Sequence, residues 1–292
     1  MKVLGLPSPG VLPHVSLTVV LRGGMLALVF VYAFFPVLVG LVQEWWSHSE
    51  YSFAFLVPGL AAYMLWRRRR ELRGPSQPSV TGLALFVVGL TIVFVGYVVA
   101  EELIQRVAIP VTLLGLVYFL RGWRGAKACL LPIGYLVLMI PIPFPVYKTM
   151  ALGLRLLDAK AAAWWAEFFG VPVLQEGYLL HLPRITLEVA DGCSGTLSLL
   201  ALVALGTFYI SEKDMAATRK AVLWAALIPV SVLANIVRIV LIVVLVHYSG
   251  NWILDTTFHA MVGTVNFVLG FGVILLLGSW LDRPSSTRGG QA

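Results

Sequence analysis

Long apolar runs separated by short polar segments dominate this chain. Most runs reach the roughly 20 residues that a helix needs to cross the hydrocarbon core of a bilayer. The pattern predicts about eight membrane-spanning helices, at residues 24–43, 52–67, 80–100, 104–121, 127–146, 194–211, 219–247 and 261–281. The second run is the shortest, and the arginines that follow it can extend along the helix to reach the interface. The fold class predicted is therefore an all-α polytopic membrane protein.

Composition excludes a soluble globular domain. Hydrophobic residues make up 59% of the 292 residues and charged residues only 12%, against about 25% charged in soluble domains. The mean hydropathy is +0.90. A net charge of +7 would favour nucleic-acid binding in a soluble protein. Here the basic residues form short clusters between apolar runs, which is the pattern that orients membrane helices and not one that binds nucleic acid.

The basic clusters predict the orientation of the helices. With eight spans, four clusters fall on one side of the membrane: Arg67 to Arg73, Arg121 to Lys127, Lys213 to Lys220, and Arg283 with Arg288. Positively charged loops stay in the cytoplasm, so both termini are expected there. The division predicted is a cytoplasmic N-terminal segment at 1–23, a transmembrane domain at 24–281 and a cytoplasmic tail at 282–292.

The longest outer connection, residues 147–192, is expected to contain two elements. Its first half, with Trp164 and Trp165, is typical of an amphipathic helix that lies along the membrane interface. Its second half alternates with period two, Ile185, Leu187 and Val189 against Thr186 and Glu188. This alternation predicts a small extracytoplasmic β-hairpin before the sixth helix.

Three chemically active residues fall in the outer half of three consecutive helices. Cys193 precedes the sixth span, Arg238 lies inside the seventh, and His259 opens the eighth. Ionisable groups within a membrane are costly and usually functional. The other cysteine, Cys129, has apolar neighbours and is expected to be an inert small hydrophobe. Asn235, three residues before Arg238 and on the same helix face, either bonds to a neighbouring helix or holds the guanidinium.

A thiol, an imidazole and a guanidinium together suggest nucleophilic catalysis. His259 can accept the thiol proton of Cys193 and later return it to a leaving amine. Arg238 can stabilise the thiolate or the oxyanion of a tetrahedral intermediate. No metal-binding or phosphate-binding motif stands out in the sequence, so no metal and no cofactor is expected.

A longer constellation of motifs resembles the exosortase/archaeosortase family of membrane-embedded cysteine transpeptidases. It consists of Gly-Val-Pro-Val from Gly170, the alternating strand, and Asp191-Gly192-Cys193-Ser194-Gly195, followed by Asn235-Ile236-Val237-Arg238 and His259. The resemblance implies Cys193 as nucleophile, Arg238 as essential cation and His259 as acid and base, with Gly192, Ser194, Gly195 and Asn235 in support. Phe53-Ala54 stands where many members carry His-Gly, which puts a catalytic role of the second span in doubt.

The resemblance also implies a substrate and a place. Substrates of the family are exported proteins that end in a short motif such as Pro-Glu-Pro, one transmembrane helix and a basic tail. A basic tail stays in the cytoplasm, so the motif would meet Cys193 at the extracytoplasmic face of the cell inner membrane. Cleavage through a thioacyl intermediate and transfer to a lipid, a glycan or water would follow.

Two other classes of function stay open on the residues alone. The chain could be a channel or transporter in which Arg238 binds an anion, although the paired broken helices of an inverted repeat are not evident in the sequence. It could also be a membrane-bound transferase acting on lipid or glycan, with Cys193 incidental.

Overall fold

The computed structural model describes residues 17–72, 79–189, 195–250 and 256–282. The helices are α1 Leu17–Ser47, α2 Leu56–Arg67, α3 Arg69–Leu72, α4 Val80–Val99, α5 Glu102–Tyr135, α6 Phe144–Phe168, α7 Thr196–Glu212, α8 Ala217–Ser249 and α9 Thr256–Leu281. The strands are β1 Leu174–Glu176, β2 Leu179–His181 and β3 Thr186–Glu188, and two 3-10 helices cover Ser49–Phe55 and Leu136–Met139.

Five helical segments of the described chain are long and apolar enough to cross a membrane. They are Gly24–Ser47, Val80–Val99, Glu102–Met139, Ala217–Ser249 and Met261–Leu281. The predicted sixth span forms the shorter apolar helix α7, of 17 residues. The predicted second span begins as a 3-10 helix and continues as α2, of 12 residues. The chain is thus a multi-pass membrane protein, while the count of eight spans and their orientation stay predictions.

The predicted fourth and fifth spans are two helical stretches that meet at Gly122, within α5. Gly122 has a φ of 69°, in the left-handed region, so the helix is interrupted there, where the sequence predicts the end of the fourth span. The fifth helix also ends before the predicted residue 146, because Pro141 and Pro143 lack the backbone N–H that a helix interior requires. After these prolines the chain starts a new helix, α6.

The described chain divides into two compact units. The first consists of residues 17–40 with 65–134, and the second of residues 41–64 with 135–282, as far as these are described. In the first unit, Gly82 and Gly89 of α4 lie directly against α5, at Phe119 and Thr112. Gly115 of α5 lies in turn against the backbone of Phe86. Small residues at these positions allow the close helix approach that stabilises pairs of membrane helices.

In the second unit, α8 is the central helix and packs against α6, α7 and α9. A buried cluster joins α7, α8 and α9, and its members are Leu202, Ile210, Leu223, Leu227 and Ile274. At one end of the unit, Arg219 donates to the carbonyl of Leu281 (2.8 Å), and Lys213 pairs with Asp282 (3.2 Å). The end of α7, the start of α8 and the end of α9 therefore lie together, and Lys213, Arg219 and Lys220 lie at this end of the unit.

A three-stranded antiparallel sheet in the order β1-β2-β3 packs beside α6. Strands β2 and β3 confirm the predicted hairpin, with Leu180 opposite Leu187, while β1 is a strand that the sequence did not predict. The turn between β1 and β2 contains Gly177, whose φ of 61° favours glycine. Buried residues from the sheet, α6 and α8, including Leu180, Val189 and Ala162, form one apolar cluster. The sheet is thus fixed to the face of α6 that also contacts α8.

Candidate functional site

Three polar side chains form a stripe along one face of α8. Ser231, Asn235 and Arg238 are spaced by four and three residues, which places them on one side of a helix. All three are buried, and Arg238 is only 6% exposed. Leu233 and Val237, by contrast, are more than half exposed, as expected for side chains that face lipid. The stripe therefore points into the second unit, where a membrane protein keeps its functional polar groups.

The start of α7 lies directly on this stripe. Gly195, at the N-cap of α7, has φ of 70°, and a Cβ built on it would lie 2.7 Å from Cγ of Asn235. Only glycine combines this backbone conformation with such a close approach. Gly195 follows Cys193 by two residues, and Gly192, Cys193 and Ser194 themselves lie outside the described residues.

The first turns of α9 approach the same stripe. A Cβ built on Gly263 would lie 3.2 Å from Nη2 of Arg238 and 3.4 Å from Cζ, so the guanidinium rests against the α9 backbone. His259 belongs to the first turn of α9, although its side chain lies outside the described part. It precedes Gly263 by four residues, which is one helical turn on the same face.

A buried carboxylate on α6, which the sequence did not indicate as a site residue, lies against the stripe. Nδ2 of Asn235 donates to Oδ2 of Asp158 on α6, at 2.7 Å. Asp158 is 1% exposed, and burial raises the pKa of its carboxyl from 3.8 to about 7, although the hydrogen bond from Asn235 opposes this rise. This bond bears out the first of the two alternatives for Asn235, a hydrogen bond to a neighbouring helix.

An arginine one turn earlier on α6 holds the end of the sheet. Nε of Arg155 donates to the carbonyl of Val189 at 2.6 Å, and Nη2 pairs with Glu188 at 2.9 Å. Its guanidinium also lies over the ring of Tyr178, 3.9 Å from the centroid. Val189 is the last described residue before the segment that contains Cys193.

The structure brings several of the predicted site residues together. Arg238, Asn235 and Gly195 meet at one place, and the backbone of His259 lies one turn from it. Cys129 is buried with a free thiol, as expected of a small apolar residue. Phe53 and Ala54 fall in the 3-10 helix Ser49–Phe55. In the described part of the chain, no group of three or more His, Cys, Asp or Glu side chains could hold a metal ion.

The fold and this buried polar stripe define a helical multi-pass membrane protein with an ionisable centre inside one unit. The family model of the transmembrane exosortases (Exosortase_EpsH) matches residues 45–276, which is most of the chain. The chain therefore belongs to the transmembrane exosortase family, a family of membrane cysteine-type transpeptidases or proteases that act on protein substrates. No curated protein and no solved structure matches it.

Proposed function

We propose that the chain is a membrane cysteine transpeptidase or protease that cleaves the C-terminal sorting signals of exported proteins at the outer face of the inner membrane. The signal is a short motif followed by one transmembrane helix and a basic tail. Cys193 is the nucleophile, Arg238 the essential cation, and His259 the acid and base. Family membership supports this class of enzyme, and the site geometry supports this choice of residues.

The observation that carries the proposal is the convergence of α7 and α9 on the polar stripe of α8. Gly195, two residues after the nucleophile, lies against Asn235, and Gly263, one turn after His259, lies against Arg238. The described residues that follow Cys193 and His259 in the chain thus lie on the stripe that contains the buried guanidinium, which supports this choice of residues. An anion channel would need Arg238 but would not need Cys193 or His259 beside it.

The reaction proceeds in two steps with a covalent intermediate. His259 takes the proton of the Cys193 thiol, and the thiolate attacks the carbonyl carbon of the scissile peptide bond. Arg238 stabilises the negative oxygen of the tetrahedral intermediate. The C–N bond then breaks, the imidazolium gives its proton to the leaving amine, and a thioester remains. An acceptor nucleophile or water attacks the thioester, gives its proton to His259 and releases the Cys193 thiolate.

The proposed side of the membrane follows from charge. Lys213 and Arg219 lie at the end of the second unit where α7 and α9 finish, and basic loops stay in the cytoplasm. The starts of α7 and α9, with Cys193 and His259, then belong to the outer side. Labelling of single introduced cysteines with an impermeant reagent should reach residues 171–189 and fail at 213–216. Labelling from the cytoplasm at 171–189 contradicts both the topology and the proposed site.

Replacement of the nucleophile tests the proposal most directly. In cells that express a reporter ending in motif, helix and basic tail, Cys193→Ala should abolish processing while the enzyme still inserts. Cys129→Ala is the matched control and should process normally, because its thiol is buried in the first unit. Normal processing by Cys193→Ala would exclude the thiol mechanism and favour a channel or a transferase in which the cysteine is incidental.

A further inference from the structure

Two side chains of α6, one helical turn apart, hold both ends of the segment that contains Cys193. Before the segment, Arg155 binds the carbonyl of Val189. After the segment, Gly195 lies against Asn235, and Asn235 is bonded to Asp158. Residues at i and i+3 lie on one face of a helix, so the contact before the segment and the bond to Asn235 after it both start from one face of α6.

We infer that Arg155 and Asp158 are positioning residues of the reaction, which fix the nucleophile segment relative to Arg238 without touching the substrate. The inference deepens the proposed function and rests on it. Neither residue belongs to the Cys-Arg-His set, and neither has a counterpart in the motifs that the sequence presents.

The contacts of Arg155 suit this role because they come from three directions. Its guanidinium binds a backbone carbonyl, a carboxylate and the face of an aromatic ring. The side chain of Arg155 is 11% exposed, so water competes little with these contacts. A planar guanidinium with several donors can make two directed hydrogen bonds at once, whereas a lysine ammonium lacks this fixed geometry. These directed contacts therefore restrict the position of the chain at the end of β3 more than charge attraction alone would.

Asp158 acts on the other end through Asn235. The Asn235 side chain lies between the carboxylate and the Gly195 backbone, so its rotamer determines where α7 can begin. Oδ1 of Asp158 has no hydrogen-bond partner among the described residues, and thus Oδ2 carries the contact to α8. This hydrogen bond is costly to break, because the partner that stays buried is then left unsatisfied.

The test compares truncated, conservative and control variants of the full-length enzyme in membranes, with the reporter substrate. Arg155→Ala and Asp158→Ala should each lower kcat about tenfold or more and change KM by less than about threefold, since lost positioning acts on the reacting geometry. Asp158→Asn should keep at least about half of the activity, because its amide oxygen still accepts from Asn235. Arg155→Lys should fail nearly as badly as Ala. Controls on exposed positions of α6 are Glu167→Gln and Lys160→Gln.

The coupling of Asp158 to Asn235 gives a second measurement. If Asp158 and Asn235 act through one contact, the double variant Asp158→Ala/Asn235→Ala should lose no more activity than the less active of the two single variants. Additive losses would overturn the inference, as would wild-type kcat in Arg155→Lys. If the alanine variants fail to insert, the activities of Arg155→Lys and Asp158→Asn are measured instead. The inference then requires a loss of about tenfold or more in Arg155→Lys and at least about half of the activity in Asp158→Asn.

The inference and the proposed function fail in different ways. If Cys193→Ala is inactive but the α6 variants match Glu167→Gln and Lys160→Gln, the positioning role is wrong and the thiol mechanism stands. If Cys193→Ala processes the reporter normally, the thiol mechanism is wrong. In that case alkylation of Cys193 in a Cys129→Ser background still tests positioning. Its rate should change at least about threefold in Arg155→Ala, and a rate equal to that of Lys160→Gln would overturn the positioning role as well.

Discussion

Asn235 of α8 donates a hydrogen bond to the buried carboxylate of Asp158 on α6, with 2.7 Å between Nδ2 and Oδ2. The same side chain of Asn235 lies against the backbone of Gly195. The amide of Asn235 thus contacts α6 and the start of α7 from α8, within the stripe that ends in Arg238. The predictions below test separate parts of this arrangement.

The buried carboxyl of Asp158 should make stability depend on pH. Its pKa is about 7 in the folded protein, raised by burial from 3.8, so the folded state binds the proton more tightly than the unfolded state. The stability gained in this way is complete below about pH 4, is lost progressively as the pH rises to about 7, and is absent above that. The melting temperature in detergent should therefore fall between pH 5 and pH 7 through this group and change little through it above pH 8.

Asp158→Asn should remove much of this fall, since an amide does not ionise, and should melt higher than the wild type at pH 8. The charged neighbours by position are Arg155 one turn earlier on α6, Glu188 bonded to it, and Arg238 one turn beyond Asn235 on α8. Glu167→Gln, an exposed carboxylate on the same helix, serves as control and should leave the pH profile unchanged. Parallel profiles for Asp158→Asn and the wild type would show that Asp158 does not titrate in this range.

Gly195→Ala should inactivate the enzyme. The new Cβ would meet Asn235 at 2.7 Å, and the residue would have to adopt φ of 70°, which costs an L-residue about 1–2 kcal/mol. Gly177→Ala separates the two effects, because Gly177 has φ of 61° but nothing within 4 Å of its Cβ position. We expect a loss of processing of about tenfold or more for Gly195→Ala and near-normal processing for Gly177→Ala. Equal losses would mean that backbone strain, and not the contact with Asn235, is responsible.

Gly263→Ala should displace the Arg238 guanidinium by a few tenths of an ångström. Its Cβ would lie 3.2 Å from Nη2, which is closer than two such atoms normally approach. A misplacement of about 1 Å can cost a hundredfold in rate, so a several-fold loss of kcat is expected here, and a larger loss for Gly263→Leu. Gly272→Ala is the matched control on α9, with nothing within 4 Å. If both alanine variants process the reporter at the same rate, Arg238 does not depend on the close approach of α9.

Arg238→Lys should fail nearly as badly as Arg238→Ala. If Arg238 stabilises the oxyanion, loss of its planar array of donors should cost about a hundredfold or more in cleavage, as for other oxyanion donors. The thiolate fraction of Cys193, measured from the pH dependence of alkylation, should change much less. A parallel fall of both quantities, or rescue of cleavage by lysine, would assign Arg238 to activation of the thiol instead.

The sequence predicted those parts of the fold that depend on local pattern. Apolar runs indicated the long helices, and the period of two around Leu187 indicated the hairpin. The break between the fourth and fifth predicted spans falls at Gly122, but the sequence did not indicate that the two helices would follow each other without a loop. The strand β1 was missed because its sequence, Leu174-Gln175-Glu176, shows no alternation of apolar and polar residues.

The site was predicted only as far as its residues are chemically unusual for a membrane. Arg238 and Asn235 stand out in an apolar helix, whereas Asp158 and Arg155 belong to an amphipathic segment in which charges are ordinary. The partner of Asn235 is 77 residues away, and its identity depends on how α6 is rotated against α8. A signal did exist, since Asp158 shares a face of α6 with the small residues Ala151, Ala162 and Ala166. An acid in such a stripe is expected to need a polar partner on the helix that packs there.

The double attachment of the Cys193 segment also restricts how the chain can vary in length. Val189 is bonded to Arg155 of α6, Gly195 lies against Asn235 of α8, and five residues connect them. Each added residue lengthens the reach of a chain by up to about 3.5 Å, so under the proposed mechanism a single insertion should be enough to inactivate the enzyme. We therefore expect the length of this segment to be as restricted as its amino-acid composition. The turn at Gly177 has nothing within 4 Å of its Cβ position. We therefore expect this turn to accept an inserted peptide tag.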